Sequence, residues 1–149
     1  MKVGDAAPRF RLQSSKGHYV ALEDFLDKKN LVIYFYPKDF SVGCTKEACS
    51  FRDSYHLFQE LDADIIGISP DSRSSHEAFA DEERLPFLLL TDADSSVRRA
   101  YGVKSTLSLI PGRVTFVLDK QGIIQRIFSS QIRPEHHVVE ALKALKALG

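Results

Sequence analysis

The chain has 149 residues, 20 Lys+Arg against 20 Asp+Glu, 44% hydrophobic and 27% charged residues. That composition supports one globular core and excludes a disordered tail, a fibre and a coiled coil. With zero net charge and no long apolar run, it argues against nucleic acid, anionic lipid and a membrane span as main partners.

In chain order, Phe10 to Gln13 and His18 to Leu22 flank Ser14-Ser15-Lys16-Gly17 and predict a β-hairpin. Leu22 to Asp27 reads as a short helix. Leu31-Val32-Ile33-Tyr34-Phe35-Tyr36 is a run of β-formers stopped by Pro37, suited to a strand buried on both faces. A helical pattern runs from about Val42 to Leu61. Ile65 to Ser69 reads as a second buried strand, Asp71 to Glu83 as a helix with Ser and Asp caps, Phe87 to Leu90 as a strand and Ser95 to Tyr101 as a short helix. Val114 to Leu118 and Ile123 to Phe128 bracket Asp119-Lys120-Gln121-Gly122, a hairpin signal. Pro134 opens a C-terminal helix to Leu148. The chain therefore reads as one domain, 1–149, of α/β class: a central mixed sheet flanked by helices, with an N-terminal β-hairpin. This is the order of elements of the thioredoxin-like architecture.

The two cysteines, Cys44 and Cys49, carry the most information. They are too few for a disulfide scaffold, lack the Cys-x-x-Cys spacing, and have only His56 nearby, which makes a poor zinc site. No metal or organic cofactor is implied. On a helical wheel, Ala48, Phe51, Tyr55 and Phe58 fall within about 40° of Cys44, so Cys44 lies on the core-facing stripe in the first turn. The helix-start N–H groups there favour a thiolate. Cys49 falls about 140° away, beside Arg52, Asp53 and His56. Five residues of intact helix separate Cα atoms by roughly 8.7 Å. A disulfide needs less than about 7 Å. Either the two sulfurs never bond, or the first turn unwinds when they do. Ser41, three residues ahead, is a candidate helix cap accepting from the Gly43 or Cys44 N–H, and a candidate donor to an oxygen held over Cys44. Gly43 allows a small ligand close approach to the backbone. Pro37 alone is a strand terminator, and Arg113 alone is a surface residue ahead of a strand.

The stretch from Tyr36 to Asp53 resembles the peroxiredoxins, in particular the bacterioferritin-comigratory or peroxiredoxin Q group, whose Pro-x-x-x-Thr/Ser-x-x-Cys motif is met by Pro37, Ser41 and Cys44. The resemblance extends through Gly4 to Phe10, Gly67 to Asp71, Leu85 to Asp92 and Arg113 to Asp119. It implies a thiol peroxidase reducing hydrogen peroxide and organic hydroperoxides. Cys44 is then the peroxidatic cysteine and Cys49 the resolving one. Arg113 stabilises the thiolate and the peroxide oxygens, with Ser41, Pro37 and Gly43 around them. A thioredoxin-type dithiol is the implied reductant. Group members often read Thr-Pro-Gly-Cys where this chain has Ser41-Val42-Gly43-Cys44, which predicts altered rate or resolution. A thioredoxin-type disulfide reductase and a stoichiometric redox sensor are the rival readings. The resolving thiol in the same chain predicts a monomer. The opening Met1-Lys2-Val3-Gly4-Asp5 reads as cytoplasmic, with a removed organelle transit segment as the alternative. Thr91-Asp92-Ala93-Asp94 reads as a helix cap ahead of Ser95, and His136-His137 as a solvated first turn.

Overall fold

The computed structural model describes residues 1–103, 113–130 and 133–148. Its elements are β1 (Arg11–Ser14), β2 (Tyr19–Ala21), a 3-10 turn (Leu22–Asp24), β3 (Asn30–Phe35), α1 (Val42–Asp53), α2 (Tyr55–Glu60), β4 (Ala63–Ser69), α3 (Arg73–Glu83), β5 (Leu88–Thr91), α4 (Ser96–Ala100), β6 (Val114–Leu118), β7 (Ile124–Ser129) and α5 (His136–Leu148). Among the described residues the strands form a sheet of order β2-β1-β5-β4-β3-β6-β7. β3, β4 and β5 run parallel, whereas β1 pairs antiparallel with β5, and β6 with β3. β1–β2 and β6–β7 are the two antiparallel hairpins. This is the thioredoxin-like fold with its N-terminal hairpin.

β3 is central and buried on both faces because its residues alternate between two cores. Leu31, Ile33 and Phe35 join a core with Phe10, Ile66, Ile68, Tyr101 and Phe116. Val32 and Tyr34 join the opposite core, with Cys44, Ala48, Phe51, Phe58 and residues of α5. A continuous apolar run is what such two-sided burial requires. The helical stripe falls close to where the wheel puts it: Cys44, Ala48 and Phe51 of α1 and Phe58 of α2 are buried, and Tyr55 of α2 is half-buried against the same core.

Several expected boundaries move. The single helix from Val42 to Leu61 divides at Ser54, whose φ of −106° and ψ of 6° leave the helical region between α1 and α2. The helix expected over Leu22 to Asp27 is one 3-10 turn, with Asp27 at a φ of 64°. The last helix starts at His136, two residues beyond Pro134. Asp92 accepts from the Val97 and Arg98 N–H groups, and Asp94 from the Ser96 N–H, so this acidic stretch does cap α4.

Register positions the site. Phe35, the last residue of β3, pairs with Val114, the first of β6. Arg113, one step earlier, therefore lies beyond the C-terminal end of β3, where α1 begins. By strand alternation Arg113, Thr115 and Val117 share one sheet face. Val117 belongs to the core beneath α1 and α5, so that face is theirs.

Candidate active site

Cys44 is the third residue of α1, 1% exposed, behind the N-cap residue Ser41. The first helical bond is Thr45 N–H to the Ser41 carbonyl, so the N–H groups of residues 42–44 lie at the open end of the helix. Arg113 Nη1 donates to Cys44 Sγ at 3.4 Å and to Glu47 Oε1 at 2.7 Å. Arg113 is 5% exposed, so solvent screens this contact poorly. Burial pulls the guanidinium down, but Glu47 and Cys44 outweigh it and hold Arg113 above its ordinary value. The reading of Arg113 as a surface residue is therefore wrong.

Gly43 makes room for a neighbouring side chain. A Cβ there would stand 2.9 Å from Arg113 Nη2, so the missing side chain is room for the guanidinium. Ser41 departs from expectation. Its hydroxyl makes no cap bond and instead donates to the Lys38 carbonyl at 2.9 Å. The proton is spent within the loop, which leaves the oxygen as an acceptor. Pro37 is half-buried where β3 ends.

The loop between β3 and α1 is anchored by Asp39, a residue that sequence reasoning passed over. Asp39 is 3% exposed. Its carboxylate receives the Tyr36 hydroxyl at 2.6 Å, the Ser75 hydroxyl at 2.8 Å and His76 Nδ1 at 2.8 Å. Its own N–H donates to Asp71 at 2.8 Å. His76 Nε2 reaches the Leu90 carbonyl at 3.1 Å. Among the described residues, Asp39, Asp71 and His76 bring three potential metal-ligating atoms within 4.8 Å. Those side chains are already engaged by Tyr36, Ser69, Ser75 and Leu90, so the group reads as a hydrogen-bond network bracing the loop on α3.

Cys49 is half-buried on another side of α1 and donates to Glu83 Oε1 of α3 at 3.5 Å. Burial first, then the Glu83 carboxylate, push its thiol up. Both cysteines are free thiols and both lie within the continuous helix α1.

Two further residues escaped the sequence reading. Glu47 is fully buried, and burial pushes its carboxyl up to about 8 although Arg113 pulls the other way. Its Oε2 has no hydrogen-bond partner. His137 was expected in a solvated turn; it is 0% exposed, edge-on to Phe128, with Nδ1 2.7 Å from the Thr115 hydroxyl and Nε2 2.9 Å from the Ser130 carbonyl. Burial lowers it to about 4. The α5 periodicity held the clue: His137 is in phase with the buried residues Ala141 and Leu145. Glu47 is likewise one turn beyond Cys44, beside the core stripe.

A buried sulfur at a helix start, faced by a guanidinium, on a thioredoxin-like fold, defines a thiol-based redox enzyme. A model of the AhpC/TSA family matches residues 3–127. Over 146 residues the chain is 47% identical to the chloroplastic peroxiredoxin Q of Sedum lineare, covering 97% of this chain and 78% of that one. The solved structure of peroxidoxin BcpB from Mycobacterium tuberculosis shares 36% identity and a TM-score of 0.93, covering 100% of this chain and 99% of that one. A bacterioferritin comigratory protein structure from Xanthomonas campestris shares 31% identity and a TM-score of 0.84, covering 93% and 91%. The chain belongs to the AhpC/TSA family, within its peroxiredoxin Q group, and is a peroxidase. No helix among the described residues is long and apolar enough to cross a membrane.

Proposed function

We propose that Cys44 is the peroxidatic cysteine of a thioredoxin-dependent peroxidase for hydrogen peroxide and organic hydroperoxides, and that Cys49 resolves it. The observation that carries this reading is the Arg113 guanidinium 3.4 Å from Cys44 Sγ at the open end of α1. The Xanthomonas campestris relative is described by its alkyl peroxide reduction activity, which supports the organic substrates.

The Cys44 thiolate attacks the terminal peroxide oxygen, and the O–O bond breaks. Arg113 and the helix-start N–H groups balance the charge that moves from sulfur onto oxygen. Ser41, with its proton on Lys38, accepts the O–H of the incoming peroxide. Pro37 ends the run of β3 ahead of the loop, and Gly43 leaves space for Arg113. The departing oxygen takes up from solvent the proton that Cys44 released on ionising and leaves as water or alcohol, and Cys44 becomes a sulfenic acid. Cys49 then attacks that sulfur, water leaves and a disulfide forms.

The wound helix holds the two Cα atoms roughly 8.7 Å apart. A disulfide tolerates less than about 7 Å. Resolution therefore requires the first turns of α1 to open. While the helix is wound, burial and Glu83 keep Cys49 a quiet thiol. An external dithiol of the thioredoxin type reduces the product by exchange. Both sulfurs belong to one chain, so a monomer completes the cycle, in the cytoplasm or any compartment holding such a dithiol; the named plant relative is chloroplastic.

Separate Cys44→Ser and Cys49→Ser proteins test this. Cys44→Ser is expected to lose thioredoxin-linked peroxide turnover, and full turnover in it would sink the assignment. Cys49→Ser is expected to consume about one equivalent of peroxide and then fail to recycle with thioredoxin.

A further inference from the structure

The proposed mechanism does not use Glu47 or His137, yet together they stand directly behind Arg113. One nitrogen, Nη1, serves both Cys44 and Glu47, so the two acidic groups share one cation. The second carboxyl oxygen, Oε2, has no hydrogen-bond partner and lies 3.5 Å from His137 Nδ1. His137 Nε2 faces the Ser130 carbonyl, so the neutral ring carries its proton there. Nδ1 is then a lone pair, aimed at the Thr115 hydroxyl and at Glu47. A carboxylate facing that lone pair is disfavoured, whereas a protonated carboxyl has an acceptor in it.

We infer that His137 is a positioning residue which keeps the Glu47 carboxyl protonated, and that this leaves the charge of Arg113 to Cys44 and its peroxide. This deepens the peroxidase reading and rests on it. When Glu47 ionises, it takes Arg113 for itself and the site loses its cation. The ionisable groups facing Glu47 are Arg113 ahead of β6, Cys44 on its own helix, Tyr34 on β3 and His137 on α5, with His136 beside His137. Tyr34 is held far above its ordinary range, first by burial, and stays a neutral phenol. Glu47, pushed up to about 8, is placed to titrate in the working range.

The test measures two things against pH in a Cys49→Ser background: the infrared carbonyl band of a protonated carboxylic acid, and the single-turnover rate with hydrogen peroxide. A band that vanishes with a midpoint near 8, and a rate that falls with the same midpoint, are expected. Glu47→Gln should lose the band and the fall together. His137→Asn places an amide N–H where Nδ1 stands, stabilises the carboxylate and should move both midpoints down by about one unit. Thr115→Val removes the rival donor to Nδ1 and should move both up, by about half a unit. The opposite signs separate positioning from mere loss of packing, and either variant suffices if the other fails to fold. No protonated band at neutral pH, a fall in rate that survives Glu47→Gln, or unmoved midpoints in the folded variants overturns the inference. The band alone reports on Glu47, so Cys44 found inert to peroxide while the band behaves as expected would count against the peroxidase reading and not against the carboxyl's protonation.

Discussion

Cys44 and Cys49 share one helix, yet they sit in opposite fields. Cys44 is sealed in the core under a guanidinium, at the helix end whose dipole is positive. Cys49 is half-buried under a carboxylate, more than a turn further along. The first environment sets a cation against the sulfur; the second sets a carboxylate against it and pushes the thiol up. Two identical side chains are thus set apart by their neighbours alone, which the proposed division into an attacking and a waiting sulfur requires. The same contrast recurs in the two buried carboxyls beside them. Asp39 receives three side-chain donors and braces the loop, whereas Glu47 leaves one oxygen without a hydrogen bond and faces a histidine.

The largest test of the contrast is Arg113→Gln. Removing the cation should slow the reaction of Cys44 with peroxide about 10² to 10³-fold, the scale of losing one preorganised donor to developing charge. Stopped-flow peroxide consumption measures it, with Cys49 alkylation as the internal control. Glu47, pushed up to about 8 even beside Arg113, is already a neutral carboxyl near pH 7 and leaves no bare buried charge when the cation is gone, so the fold survives. An unchanged peroxide rate would erase the difference between the two sulfurs.

Gly43→Ala is next. The new Cβ stands 2.9 Å from Arg113 Nη2, and the guanidinium must yield. We expect the peroxide rate to fall about tenfold by misplacement. Thermal unfolding should show stability unchanged or raised by up to about 1 kcal/mol, because alanine suits a helix better than glycine. A peroxide rate left unchanged would mean that Arg113 does not need the room Gly43 leaves.

The smallest effect belongs to the other sulfur. Glu83→Gln removes one of the causes that hold the Cys49 thiol up, second to burial. Alkylation of Cys49 near pH 8 should quicken about threefold, corresponding to half a unit. Cys44 should not respond, and a response there would show that the two fields are not independent.

Much of this molecule was legible in the linear chain because its signals are local. The apolar run of β3, the Asp119–Gly122 turn and the α1 stripe each arise from neighbouring residues with one period, and each stands close to where the pattern put it. Helix ends were less legible: the break at Ser54 has no glycine or proline to mark it. The Ser41 hydroxyl also chose a carbonyl over the cap, a choice among local acceptors that spacing does not decide.

By itself the sequence determined which residue begins the reactive helix, which face of it enters the core, and that an intact α1 keeps its two sulfurs apart. Tertiary structure decided what surrounds the first sulfur. Arg113 reaches Cys44 across 69 residues, and His137 meets Thr115 across 22, through the pairing of Phe35 with Val114 and the seating of α5 on that sheet face. Periodicity reports which side of an element is apolar. It does not report which distant strand end will lie beside it, and charge, proton and sulfur meet only where that pairing brings them together.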